Sequence, residues 1–297
     1  AGSVVAARLA ADSGARILIL EAGYSHRHPL LDMPPGIFKM IKGSKYMRYH
    51  KTSAQEHLGG RSHEIPQGNV LGGGSSVNAQ VYIRGRPSDY DEWHKILRGN
   101  NQSAGWAWKD VLPHFKRMAG NNRLNNELHQ PDGPMMVSDP GHINEMSRWF
   151  VQAVQALGEP YNHDFNGSSQ RGCGFYQFMN RNGRRSSAAY AYLEPQKNSP
   201  NLEIRLQAEV QRIVTKNGRA TGVMYRDKSG RHHEVQATQE VIVAAGALIT
   251  PKILMLSGIG PADQLLQHGI KCIENLTGIG ENLIDHPEVP IITTANG

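Results

Sequence analysis

The chain has 297 residues, room for one large domain or two modest ones, and its 39% hydrophobic and 20% charged residues are those of an ordinary globular protein. No run of about 18 apolar residues occurs, which excludes a transmembrane segment of the helical kind. The formal net charge of +6 comes from Lys and Arg scattered among acids, a solvated surface rather than a nucleic-acid-binding face.

Residues 3–11 read as a helix with a face of small residues, broken at Gly14. Arg16-Ile-Leu-Ile-Leu20 is a short apolar run ending in Glu21-Ala22-Gly23, the pattern of a buried parallel strand. A helix followed by such a strand is half of a dinucleotide-binding βαβ unit, in which an acid about 20 positions after the glycines takes the ribose hydroxyls. Glu21 stands 19 positions after Gly2, which fits Gly2 as the last glycine of that fingerprint. The start, Ala1-Gly2-Ser3-Val4, lacks a basic signal-peptide region and an initiator Met.

Residues 24–66 hold many Pro, His, Lys and Tyr and little periodicity, a long loop with short elements. Gly72, Gly73 and Gly74, followed by Ser75 and Ser76, then form a stretch with almost no side-chain bulk. Such a run reads either as a flexible turn or as a cradle of backbone N–H groups for an anion such as a pyrophosphate. Beyond Trp93 the pattern is helical and aromatic (Trp106, Trp108, Val111, Leu112, Phe115), with Asp110 and His114 spaced as an i, i+4 pair and the aromatics expected to pack in a core.

Residues 119–142 are a connecting segment, and 144–157 an amphipathic helix with Met146, Phe150, Val154 and Leu157 on one face. Asn182 to Leu193 looks like the start of a helix with Ser186 as its cap; the paired Arg184 and Arg185 fit either an anion contact or a solvated loop. From Leu202 the period becomes two, through 202–206 and 208–215, with turns at Asn217-Gly218 and Ser229-Gly230, an antiparallel meander. Glu240 to Gly246 reads as a second buried strand whose C-terminal end is where ligands sit in open α/β sheets, and Thr250–Leu256 as the next helix. Cys173 and Cys272 lie far apart in no metal spacing and fit free thiols in a reducing cytoplasm. Despite 14 histidines, including His232-His233, no His-Glu-x-x-His or Cys-x-x-Cys occurs, so no metal site is expected.

The order Gly68-Asn-x-Leu-Gly-Gly-Gly-Ser-x-Val-Asn-x-x-x-Tyr-x-x-Gly85-x5-Asp91 resembles the first signature of the glucose–methanol–choline (GMC) oxidoreductases. The stretch Gly246-Ala-Leu-Ile-Thr-Pro-Lys-Ile-Leu-Met-Leu-Ser-Gly-Ile-Gly260 is similar to the second, and Gly278 to His286 to a further family segment, there a structural corner rather than an acid–base pair at Asp285-His286. The resemblance implies an α/β fold: an FAD-binding Rossmann-like domain of parallel sheet, helices and antiparallel meander, plus part of an α+β substrate-binding domain. The implied division is 1–137 (with a cofactor-covering loop at 24–66) and 179–289 for the FAD domain, 138–178 for the substrate domain, and 290–297 for its second, truncated visit.

The same resemblance places Glu21 on the adenosine ribose, the backbone from Gly72 and Gly73 to Ser75 along the pyrophosphate, and Asn78 and Ala79 near the flavin ring. It places Val210 near the adenine, with Ala245 and Gly246 closing over the cofactor; Gly2, Ala22, Gly68, Asn69, Leu71 and Val81 complete the implied cofactor set. Val77 stands where some members carry the histidine that bonds the flavin, so the implied FAD is noncovalent. The implied reaction is hydride transfer from the carbon of a choline-like or other primary alcohol to flavin N5, the electrons passing on to oxygen or another acceptor. A GMC-fold hydroxynitrile lyase, or a non-catalytic fragment, are the alternatives. The resemblance assigns no catalytic residue here, because the family's catalytic His and its partner belong to a C-terminal segment that the chain does not contain.

Overall fold

Ser3, Ala6, Ala7 and Ala10 recur at three- and four-residue spacing, and they form the buried side of helix α1 (Gly2–Asp12). The structure, a computed structural model, describes residues 1–12, 14–99 and 105–286; the expected segment at 290–297 lies outside the described residues. The chain divides into two compact units, residues 3–207 with Ala1, and residues 208 onward with Gly2.

In the first unit α1 leads into strand β1 (Ile17–Glu21). The stretch expected to be a loop at 24–66 carries two short helical turns, Pro29–Asp32 and Gly36–Met40, and an antiparallel hairpin of β2 (Met47–Lys51) and β3 (Glu64–Gly68). It has its own core: Leu31, Met40, Tyr46 and Met47 pack with Val70 and Val77, residues on either side of the glycine run. Helices α2 (Pro87–Gly99), α3 (Trp108–Met118) and α4 (Glu145–Ala156) follow.

The strand Leu202–Leu206 (β4) departs from expectation. It is no part of a meander but lies parallel to β1, in register from Ile17 opposite Leu202 to Glu21 opposite Leu206. Packing explains the choice, because Ile19, Leu202 and Ile204 close over Ala7, Leu71, Ala189, Tyr192 and Leu193. With one ladder partner among the described residues, β1 is half-buried along its length rather than fully buried.

Past its end, β1 continues into direct contact with the segment before the glycine run. Tyr24 N donates to Asn69 O (3.1 Å) and Leu71 N to Tyr24 O (2.9 Å). The approach requires glycine at position 23, since a Cβ there would fall inside the Asn69 carbonyl.

Other local expectations are corrected by burial and partners. Asp110 does not pair with His114: it accepts from Ala107 N (3.2 Å), while His114 Nδ1 meets Arg117 at 2.8 Å. The rings of Tyr90, Trp93, Trp106, Trp108 and Phe115 do pack on one another, yet Trp93 and Trp106 remain about half exposed. Helix α4 is capped by Asn144, whose Oδ1 accepts from Met146 N, but its apolar stripe faces solvent, Phe150 being 68% and Leu157 85% exposed; Val151 is the residue turned inward. Ser186 is not a helix cap. Its hydroxyl accepts from Met136 N, and Ser187, one residue on, accepts from Tyr190 N at the start of the π-helical turn Ala189–Leu193.

The second unit opens with the expected meander, β5 (Glu209–Lys216), β6 (Arg219–Arg226) and β7 (His232–Gln236). Asn217 and Gly218 both take positive φ at its first turn, as a tight hairpin needs. Glu240–Gly246 is not a buried strand. It has no strand partner among the described residues, and Val241 to Ala244 alternate between half-buried and exposed. Gly246 instead opens helix α5 (Gly246–Leu256), which holds β5 through Ser257: its hydroxyl donates to Ile253 O (2.6 Å) and accepts from Ile213 N (2.8 Å). A short parallel pair, Ile259–Gly260 with Glu274–Asn275, flanks helix α6 (Ala262–Gln267). The α/β class expected from the sequence holds.

Replacing Gly23 by Ala should cost about 3 kcal/mol or more, or abolish soluble expression, because backbone on backbone leaves nothing to rotate away. Gly141→Ala, where an added methyl meets nothing within 4 Å, should stay within about 0.5 kcal/mol. Thermal denaturation of the two variants beside the parent checks both.

Candidate functional site

The glycine run is a braced loop with a bare outer surface. Gly72 has φ 91°, and a Cβ there would come within 2.5 Å of Ser76 Oγ, so this position is closed to any side chain. Gly73–Ser76 form one 3-10 turn, and around Gly73 and Gly74 an added Cβ would meet nothing within 4 Å. Ser75 Oγ donates to Gly72 O (2.7 Å) and accepts from Ala188 N (2.9 Å); Ser76 Oγ donates to Leu71 O (2.8 Å). Both hydroxyls are therefore spent on the loop itself. The Gly73 N–H is spent as well, on Val70 O (2.8 Å); what the loop presents outward is the peptide around Gly74, since the first N–H groups of a helical turn have no acceptor within it. That is a surface for an anion or a polar edge.

The residues leading in shape this loop rather than offer side chains. A Cβ on Gly68 would lie 2.7 Å from the Gly73 carbonyl; Leu71 is buried in the core; the Asn69 amide donates to Lys45 O. Glu21 ends β1 half-buried, with Ala22 beside it, and Glu21 Oε1 accepts from Gly23 N (2.7 Å). Burial raises the pKa of this carboxyl, against the Gly23 hydrogen bond and the charge of Arg48. A carboxylate so removed from water suits partners that donate, such as a pair of hydroxyls. The Tyr24–Val70 bridge joins its strand to the glycine run, so Glu21 and Gly72 are separated by at most about 22 Å of chain even at full extension.

After the loop, Asn78 is half-buried, Ala79 exposed, and Val81 on the rim of a two-residue pairing with Phe178. The paired arginines divide. Arg184 is exposed, whereas Arg185 is 3% exposed and spends its guanidinium on carbonyls. Its Nε donates to Leu31 O (2.9 Å) and one terminal nitrogen to both Asn78 O and Asn78 Oδ1 (2.7 Å each). Burial holds its pKa down at about 10, Asp32 opposing, so it remains a cation at neutral pH. It is a strut, not an exposed anion contact.

The remaining expected residues belong to the second unit. Val210 is half-buried opposite Tyr225 beside a β-bulge; Ala245 N donates to Thr250 Oγ1 (3.1 Å); Gly246 has φ 86°. Gly2 is grouped with them, and an added Cβ would approach Ala244 Cβ to 3.2 Å. At 285–286 the Asp285 carboxylate accepts from the His286 backbone N–H, so the two side chains form no acid–base pair there. Among the described residues no three His, Cys, Asp or Glu converge as metal ligands, and no helix is long and apolar enough to cross a membrane.

One charged cleft was not foreseen. His26, Arg27, His28, Pro29, Asp32, Tyr190 and Glu194 line about 300 Å³. Glu194 accepts from Arg27 Nε (2.6 Å) and its terminal nitrogen (2.9 Å), and from His26 Nε2 (3.0 Å). Donation from Arg27 and the neighbouring charges outweigh burial and lower the Glu194 pKa; burial lowers that of His26 despite Glu194. These partners lie more than 160 residues apart, and no local pattern announces them.

The profile of the GMC oxidoreductase family matches residues 8–288. An alcohol dehydrogenase [acceptor] from Pseudomonas putida is 40% identical over all of this chain and 53% of its own length. An oxygen-dependent choline dehydrogenase from Brucella anthropi is 39% identical over 98% of the chain and 52% of its own. A solved structure of formate oxidase from Aspergillus oryzae RIB40, determined to follow FAD modification, superposes with a TM-score of 0.85 at 28% identity, covering 96% of this chain and 50% of that one. The chain thus spans about half the length of the curated relatives it matches.

The burial of His26, which its contact with Glu194 only partly offsets, makes acid destabilising. A lowered His26 pKa means that the unfolded chain binds the proton first, so stability falls as pH drops below about 6.5; Glu194, also lowered, adds a further loss below about 4.5. Urea unfolding between pH 7.5 and 5.5 should show the first loss, and His26→Gln should flatten it.

Proposed function

The chain belongs to the GMC oxidoreductase family, and on that premise we propose that it is the FAD-holding part of an enzyme that oxidises the CH–OH group of a choline-like or other primary alcohol. The observation that carries this reading is the bare peptide surface at Gly73 and Gly74, clasped through Tyr24 and Val70 to the strand that ends in the half-buried Glu21. The pyrophosphate lies along residues 72–75, where small residues let the backbone approach, and Glu21 receives the ribose hydroxyls. Ala22, Gly68, Asn69 and Leu71 shape that strand and loop. Asn78, Ala79 and Val81 take the flavin ring; the family signatures assign Val210 to the adenine and Gly2, Ala245 and Gly246 to the cofactor. Val77, 4% exposed and without a nucleophile, makes the attachment noncovalent.

When bound, the flavin supplies the acceptor for the hydride that leaves the alcohol carbon. The described residues hold and orient it; none of them is assigned as the base that takes the hydroxyl proton. The names of the relatives favour an alcohol or choline as substrate, and oxygen or a separate acceptor for the electrons. The proposed division is 1–137 and 179–289 for the cofactor domain and 138–178 for the substrate domain. A cytoplasmic setting agrees with the free thiols of Cys173 and Cys272.

Gly74→Ala separates cofactor binding from folding. The added methyl meets no protein atom, so thermal stability should be unchanged, while FAD affinity, read from flavin fluorescence on titration, should fall about tenfold or more. Anaerobic mixing of the FAD-loaded protein with choline or a simple primary alcohol should bleach the flavin band; hydroxynitrile cleavage with no bleaching by any alcohol would replace the oxidoreductase with a lyase. Consumption of oxygen, set against reduction of an added dye, then identifies the acceptor.

A further inference from the structure

Asn78 and Arg185 are 107 residues apart in sequence and are joined by a contact whose chemistry has one solution. A guanidinium can only donate. The Asn78 side-chain atom 2.7 Å from the Arg185 terminal nitrogen is therefore the amide oxygen, and Gln80 N donates to the same oxygen at 3.2 Å. Two donors on Oδ1 turn the amide NH2 group away from the strut. The same Arg185 nitrogen also holds Asn78 O (2.7 Å) and Ser75 O (3.3 Å), and its Nε holds Leu31 O (2.9 Å), so backbone and side chain of Asn78 are fixed by one buried cation.

We infer that Arg185 is a positioning residue that locks the Asn78 amide with its NH2 group outward, so that the loop offers the cofactor a hydrogen-bond donor and never an acceptor. This rests on the flavin reading of the glycine loop. A ligand edge that fits carries acceptor atoms, a ring carbonyl or an unprotonated ring nitrogen, as the flavin has. A donor backed by a cation is polarised by it, and the extra pull grows as electron density builds on the acceptor. Arg185 thereby favours the reduced flavin over the oxidised one without touching it.

Two variants test this in the apo and FAD-loaded protein. Asn78→Asp keeps an acceptor for Arg185 and for Gln80 N but removes the donor. Its apo melting temperature should equal or exceed that of the parent, while FAD affinity falls at least tenfold. Should the Asp variant fail to fold, the amide oxygen is not the atom that Arg185 holds, and the inference falls. Equal FAD affinity in parent and Asp variant overturns it as well. Arg185→Lys keeps the charge but loses the fork that fixes the amide. At saturating FAD the Lys variant should show a lower flavin midpoint potential, a tenfold weaker preference for the reduced form being about 30 mV for a two-electron couple. An unchanged potential would leave Arg185 a purely structural strut and refute its positioning role. If the parent itself binds no FAD, the glycine-loop reading fails rather than the assignment of the amide.

Discussion

The backbone contact between Gly23 and Asn69 is the constraint from which the first unit follows. Two chain segments 46 residues apart meet with no side chain between them, closed by hydrogen bonds in both directions through Tyr24. Because that approach is fixed, β1 and the glycine run share one frame. The hairpin of β2 and β3, with its small core around Met40 and Tyr46, then packs on Val70 and Val77 and holds the run from the other side. A loop of three glycines would otherwise lose more conformational entropy on ordering than any other sequence of its length. Here it is ordered by its neighbours rather than by its own preferences.

Near that loop the polar side chains point inward. Ser75 and Ser76 hydrogen-bond to the loop's own carbonyls, the Asn69 amide reaches Lys45, and the Arg185 guanidinium gathers the carbonyls of Leu31, Ser75 and Asn78. Apart from the Asn78 amide, the outer face is left to the main chain. Recognition built this way depends on shape and on fixed N–H directions, and it needs no movement of side chains when a ligand arrives. The cost is a buried cation, stabilised by three carbonyl partners and one amide oxygen rather than by a counter-ion in direct contact.

How much of this could be read from the sequence depends on how local each cause is. The small-residue face of α1 and the turns at Asn217-Gly218 and Ser229-Gly230 are set by residues within a few positions of one another, and they stand as expected. The partner of β1 was not legible. Period-two alternation marks 202–206 as a strand, but which ladder it joins is decided by packing on Ala7 and Leu71, far away in sequence. Glu240–Gly246 has the composition of a buried strand, and composition alone supplies no ladder. Arg184 and Arg185 look alike on paper; only the distant carbonyls of Leu31 and Asn78 separate a solvated residue from a buried strut. The cleft around Glu194 stayed hidden for the same reason.

Helix α4 carries its apolar stripe in water, with Met146, Trp149, Phe150 and Leu157 all more than half exposed. Such a face makes the chain prone to associate through nonpolar surface. Its solubility is set by how strongly the medium drives nonpolar surface together, so sulfate and other excluded salts should bring about self-association well before unfolding. Mild nonionic surfactant, or a Lys in place of Phe150, would keep it dispersed without disturbing the glycine loop.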